Sequence, residues 1–235
     1  MTDLTGHIAL VTGASRGLGR AAAEAFAGAG AHVVALARTQ GALEDFDDAV
    51  RAKGAKATLV PLDLSDDAGL ARLGAALYER HGHLDLWLHT AAQAVSQSPV
   101  EHITASELDK ALALDLRAFQ RLIRVLDPLL RLAPEGRAKA VIASDGVTAE
   151  GARFRGLYAM AKAGQSALTQ AWAVEAGGRF CVAEIIPPAM PTALRARFYP
   201  GEDQSALTPC AVVAERLLAA LPQLSAGGRV ALTDA

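Results

Sequence analysis

Apolar residues gather in short runs along this chain, at 8–11, 31–37, 56–62, 84–89, 138–143, 179–186 and 228–232. Between them lie longer stretches of helical spacing, at 19–29, 40–53, 66–81, 106–132, 156–176 and 208–221. In 106–132 the apolar positions Leu108, Leu112, Leu116, Phe119, Leu122 and Ile123 recur close to every third or fourth residue, the period of one helix face. Gly30 and Gly54 stop the first two helices, and Thr208-Pro209 reads as a helix start, a capping hydroxyl followed by proline in the first turn. Strands of this length alternating with helices predict an α/β fold: a doubly wound, mainly parallel sheet of six to seven strands with helices on both faces. Such a sheet binds its ligand beyond the carboxyl ends of the strands, where strand order reverses. No proline-rich or charged linker and no repeat interrupts the pattern. One domain over 1–235 is therefore expected, although length alone also allows two small ones.

Composition narrows the function classes. The 51% of hydrophobic residues excludes a disordered chain, and a net charge of -2 gives no global positive field for nucleic acid or an anionic membrane. With aromatics at 5%, the interior has to be filled by small and aliphatic side chains. Cys181 and Cys210 form no CxxC pair and read as reduced thiols. The N-terminus lacks a basic region followed by a long apolar run, and no stretch of about 18 uncharged apolar residues occurs, so a cytoplasmic protein is expected. His81, His83, His89 and His102 lie in different elements without ligand spacing, and are read as surface or loop-end histidines rather than a metal site. Arg153, Arg155, Arg195 and Arg197 are read as solvated loop arginines, with attraction of an anionic substrate as the alternative.

The residues that carry chemistry begin with Thr12-Gly13-Ala14-Ser15-Arg16-Gly17-Leu18-Gly19, between the first strand and the first helix. Gly13 turns the chain, Gly17 admits a pyrophosphate to the backbone, and Gly19 lets the helix pack on the strand. Free N–H groups at the helix start suit phosphate. The spacing differs from GxGxxG and resembles the TGxxxGxG of the short-chain dehydrogenase/reductase family. Tyr158-Ala159-Met160-Ala161-Lys162 matches that family's YxxxK motif. Asp63, followed by Leu64, matches its adenine-binding acid after the third strand, and Thr192 after Pro187 matches the threonine of its PGxxxT region. The surroundings of Tyr158 and the segment 187–207 look most like the YciK-type branch. The resemblance covers essentially the whole chain. It implies a Rossmann-type domain, a nicotinamide cofactor, a small carbonyl or alcohol substrate, and a homodimer or homotetramer. Cofactor contacts are then expected from Gly13, Ser15, Arg16, Gly17, Leu18, Gly19, Arg38, Asp63, Leu64, Ala91, Tyr158, Lys162, Pro187 and Thr192.

An acid at the end of the second strand would bind the ribose 2′-hydroxyl of NAD; here that position is Ala37, followed by Arg38. With Arg16 in the turn, two guanidiniums suit a 2′-phosphate, so NADP(H) is expected over NAD(H). Tyr158 and Lys162 stand one helical turn apart, and the cation is expected to favour the phenolate of an acid/base tyrosine. Four features depart from the family pattern. Counting back 13 residues from Tyr158 for the usual serine lands on Asp145, with Ser144 beside it. Ser144 is expected to serve, and Asp145 to turn away or pair with a base. His89-Thr90-Ala91-Ala92 stands for Asn-Asn-Ala-Gly, Asp115 stands for the relay asparagine, and Pro188 stands for a glycine. These departures keep a second expectation open, a nucleotide-binding pseudoenzyme with a regulatory or scaffold role.

Overall fold

The computed structural model describes residues 2–146 and 153–233. Seven parallel strands form one sheet: β1 Ile8–Thr12, β2 His32–Ala37, β3 Ala57–Pro61, β4 Leu86–His89, β5 Lys139–Ala143, β6 Cys181–Ile186 and β7 Arg229–Ala231. Their order is β3-β2-β1-β4-β5-β6-β7, so the direction of winding reverses between β1 and β4. Register pairs Val11 with Ala35 on one side and with Leu88 on the other. Strands covered on both faces read as continuous apolar runs. Alternate residues of β1 therefore serve two cores: Ala9 and Val11 enter one, and Leu10 the other.

The first core lies under helices α1 Gly17–Gly28, α2 Gln40–Ala52 and α8 Cys210–Ala220, and holds Phe26, Phe46 and Leu217. The second lies under α3 Asp67–His81, α5 Ala118–Leu132 and α6 Gly156–Glu175. There the Trp87 ring lies 5.9 Å from both Phe119 and Trp172. Small residues let the helices approach. A Cβ on Gly74 would come within 2.5 Å of Val125, and one on Gly164 within 2.6 Å of Leu116.

The stretch 106–132 differs from a single α-helix. It comprises α4 Ala105–Ala111, a π-helical segment Leu112–Arg117, and α5. Such π segments favour functional positions because they turn a side chain out of the helical repeat; here the segment carries buried Asp115. Two further differences concern the C-terminal third. A short helix, α7 Ala193–Phe198, follows β6. At α8 the N-cap is Pro209 and no side chain caps it, so Thr208 does not play the expected capping part. Residues Gln204–Gln223 have a mean hydropathy of 1.2 and are long enough to cross a membrane by composition alone. They include Glu215 and Arg216, however, and Val213, Ala214, Leu217 and Leu218 pack into the first core.

Candidate active site

The reversal between β1 and β4 brings their carboxyl ends together. Thr90 donates its N–H and its hydroxyl to the Thr12 carbonyl, each at 3.0 Å. Gly13 has φ +89°, and a Cβ there would stand 2.7 Å from Thr90 Oγ1 and 2.9 Å from the Ala91 nitrogen. Gly19 is tighter: its Cβ would lie 2.3 Å from the Gly13 carbonyl oxygen. The helix start therefore rests directly on the turn. Gly17, with φ +57°, faces Thr192 across a gap, its Cβ 3.3 Å from Thr192 Cγ2. The two segments assigned to a dinucleotide from their motifs thus face each other, with a glycine where a methyl group would narrow the gap. No side chain caps α1, so its first N–H groups are not claimed by one.

The remaining candidates line the same edge. Ser15 is half-buried, Leu18 and Leu64 are buried, and Arg16 is exposed at the α1 start. Arg38 stands exposed after β2, its guanidinium 3.9 Å from Asp63. Asp63 accepts from the Ser65 N–H at 2.9 Å and hydroxyl at 2.7 Å; these bonds hold its carboxyl below the usual carboxylate range. Pro187 follows the end of β6, and Thr192 caps α7 by accepting from the Arg195 N–H at 3.1 Å.

Tyr158 and Lys162 belong to the inward stripe of α6 that continues through Gln165, Thr169 and Trp172. Both are buried. The Lys162 ammonium donates to the Ala143 carbonyl at 3.0 Å and to Gln165 Oε1 at 2.9 Å. Gln165 Nε2 in turn donates to the Asp115 carbonyl at 2.7 Å, tying α6 to the π segment. Burial lowers the Lys162 pKa, opposed by the charges of Asp115, Asp145 and Glu184. Asp115 is itself buried, and burial raises its pKa. Oδ1 accepts from the Gln93 N–H at 2.8 Å, while Oδ2 has no hydrogen-bond partner among the described residues.

The expectation that Asp145 turns away is corrected here. It does not turn away: the Tyr158 hydroxyl donates to Asp145 Oδ2 at 3.2 Å. Ser144 is buried and gives its N–H to the Ile185 carbonyl at 2.8 Å. The expected effect of Lys162 on Tyr158 is corrected too. Burial, then the charge and hydrogen bond of Asp145, then Asp115, push the phenol pKa up, and only Arg155 opposes them. His89 is not a surface histidine. It is buried on β4 with Nδ1 2.8 Å from Thr12 Oγ1, and burial together with the Lys162 charge pushes its pKa down to about 3.

α7 covers the Tyr158 side. The Phe198 ring lies 5.0 Å from the Tyr158 ring, and Gln97 Nε2 donates to the Phe198 carbonyl at 2.8 Å. Arg195 grips Glu202 through two bonds, at 2.7 and 2.5 Å, and stacks 3.7 Å over Tyr199. Arg197 donates to the Val95 carbonyl at 3.2 Å. These two arginines hold the cover in place, a role beyond solvated loop residues. Gln165 and Phe198 are functional neighbours that motif reading missed. Gln165 had a signal, its place three residues past Lys162 on one helical face; Phe198 had none. Among the described residues, no group of three or more His, Cys, Asp or Glu side chains could hold a metal ion.

A family model described as Enoyl-(Acyl carrier protein) reductase matches residues 13–211. A fatty acyl-CoA reductase from Acinetobacter baylyi is 30% identical over 174 residues, 74% of this chain and 58% of that protein. The chain spans about three fifths of the length of the curated relatives it matches first, at 58%, 61% and 60%. The solved Escherichia coli oxidoreductase yciK is 27% identical with a TM-score of 0.93, covering 100% of this chain and 98% of that one. A chain from Escherichia coli CFT073 solved in complex with NADPH is 26% identical with a TM-score of 0.92, covering 100% of both chains.

Proposed function

The chain belongs to the short-chain dehydrogenase/reductase family, and from that premise we propose that it transfers hydride between NADP(H) and a small carbonyl or alcohol substrate. The observation that carries this reading is the buried Tyr158/Lys162 pair on α6, with Lys162 anchored to the Ala143 carbonyl at the carboxyl end of β5. Gly13 and Gly19 let the turn, β4 and the α1 start pack closely, Gly17 keeps the gap toward Thr192 free of a side chain for a pyrophosphate, and the α1 N-terminus would supply N–H groups to it. Arg16 and Arg38 would hold the 2′-phosphate, in keeping with the NADPH bound by the similar Escherichia coli chain. Asp63 and Leu64 would meet the adenine, Ala91 and Thr192 the nicotinamide half. The bound cofactor would supply or take the hydride. Tyr158 exchanges the proton of the substrate oxygen, and Lys162, anchored by Ala143 and Gln165, would hold the nicotinamide ribose. Ser144 and Asp115 are the remaining candidates for binding the substrate oxygen and a relaying water.

A second reading has its own observation. Asp145 holds the Tyr158 proton and opposes the phenolate, as expected of a nucleotide-binding protein that has lost turnover. Incubating the protein with NADPH and a panel of aldehydes, ketones and quinones separates the two. Under the enzymatic reading at least one carbonyl is reduced, and Tyr158→Phe lowers that rate by about 10²–10⁴-fold. Tight NADPH binding, with no reduction and no effect of Tyr158→Phe, would decide for the second.

A further inference from the structure

Of Arg153, Arg155, Arg195 and Arg197, two are already engaged: Arg195 by Glu202, and Arg197 by the Val95 carbonyl and the Ser96 hydroxyl. Arg153 is exposed and stacks 4.8 Å over the Phe154 ring. Arg155 differs from all three. It immediately precedes α6 and is half-buried, with its guanidinium 5.9 Å over the Phe198 ring and 5.2 Å over Tyr199. Among the described residues, no carboxylate or carbonyl accepts a hydrogen bond from it. A guanidinium carries five N–H donors in its plane, and stacking on ring faces uses none of them. Its charge is felt at Tyr158, whose phenol pKa it lowers against burial and Asp145. The backbone fixes this position on both sides. Phe154, just before it, has φ +63°, a region that bulky side chains avoid, and its carbonyl accepts from the Ser98 N–H at 2.9 Å. Such strain collects at ligand clamps. The Arg155 carbonyl accepts from the Ala159 N–H, also at 2.9 Å. Position 155 is thus set three residues before Tyr158, the spacing of neighbours on a helix.

A half-buried cation with its donors open calls for an anion that the described residues do not supply. We infer that the substrate is an oxo-acid, a carbonyl compound whose carboxylate, several bonds from the reacting carbon, is held by the Arg155 guanidinium. This rests on the hydride-transfer reading above. Tyr158 and Arg155 share one neighbour: the Phe198 ring lies 5.0 Å from the Tyr158 ring and 5.9 Å from the guanidinium. One small molecule can therefore reach both, and the Tyr199 ring offers apolar surface to the carbon skeleton between. A carboxylate matches the charge of one guanidinium and the geometry of its paired N–H groups. A phosphate monoester, near −2 at neutral pH, would want a second cation, and Arg195 and Arg197 are engaged elsewhere. In the reaction the carbonyl carbon takes hydride as the nicotinamide is oxidised, and its oxygen takes the Tyr158 proton. The carboxylate keeps its charge, so its bond to Arg155 lasts through the step.

Two probes of similar shape test this: 4-formylbenzoate and its uncharged methyl ester. NADPH oxidation is followed with the wild-type chain, Arg155→Gln and Arg155→Lys, and NADPH binding is measured separately by fluorescence. Hydrogen bonds to a charged group lead us to expect kcat/KM at least about 10-fold higher for the acid than for the ester in the wild type. Arg155→Gln should bring that ratio close to one, and Arg155→Lys, which keeps the charge but loses the paired N–H groups, should retain part of it. A wild type without preference for the acid, or a ratio unchanged in Arg155→Gln, overturns the inference while leaving the hydride-transfer reading intact. If either chain turns over neither probe, titrating its NADPH complex with 4-formylbenzoate decides. Tighter binding to wild type than to Arg155→Gln supports the inference, and equal or undetectable binding overturns it. Failure to bind NADPH at all would instead remove the hydride-transfer reading.

Discussion

Tyr158 is a phenol held by an acid. The side chain proposed to offer a proton to a substrate is already donating one to Asp145. Replacing Asp145 by Ser should therefore matter more to the tyrosine than any change at exposed Arg16. The residue proposed to discriminate between cofactors is Arg38. Arg38→Asp removes a guanidinium and adds the acid missing at the end of β2, so the ratio of NADPH to NADH affinity should fall by about 10-fold or more in a binding titration. An unchanged ratio would show that Arg38 does not touch the 2′-phosphate. The residue types at these places were readable from spacing, because a turn, a helix repeat and a strand end are local. The direction of the Asp145 side chain was not. Counting from Tyr158 landed on it, but sequence gives no side-chain direction for a residue just past a strand, and Ser144 was preferred for its hydroxyl. His89 was misread for a related reason: on β4 its neighbours are apolar, yet histidine is polar enough to pass for a strand end.

At the scale of elements, α1 and the glycine turn behave as one part. A Cβ at position 19 meets the Gly13 carbonyl at 2.3 Å and Thr90 Oγ1 at 2.4 Å, and the backbone oxygen has nowhere to move. Gly19→Ala should cost roughly 1–3 kcal/mol in urea unfolding and weaken NADPH binding by more than about 10-fold. Helix α4 is set by a capping box, in which Thr104 Oγ1 accepts from the Glu107 N–H and Glu107 accepts from the Thr104 N–H. Thr104→Ala should cost about 1 kcal/mol, read by the same unfolding, with little change in cofactor affinity. Long elements were legible because their apolar period persists over several turns. The π segment was not, since Leu112, Leu116 and Phe119 keep a helical rhythm through it and the extra residue per turn leaves no composition signal. α7 was missed because Ala193–Phe198 is short and carries two arginines, which read as loop.

Over the whole molecule, the buried groups set a pH dependence. His89 takes up a proton near pH 6.5 when unfolded, but only near 3 when buried in the fold. Between those values the unfolded chain binds more protons, so stability is fully present above about pH 6.5 and falls as the pH drops. His32 and His81 are pushed the same way by burial. Unfolding free energy should therefore decline between pH 7 and 5.5, by up to about 1.4 kcal/mol per pH unit for each such proton, and His89→Leu should flatten the slope. A slope unchanged in that variant would assign the protons elsewhere. The sheet order has a consequence of another kind, for how the chain comes together during synthesis. The first three strands extend the sheet in one direction; the chain then crosses back, and β4, β5, β6 and β7 are laid down outward in the order in which they are made. Every pairing is parallel, so none can be seeded by a hairpin, and each must wait for an intervening helix. The half proposed to face the phosphates can thus be assembled before the tyrosine has been translated, and NADPH added to a translation reaction should protect nascent chains from proteolysis only once the segment carrying Thr192 has emerged.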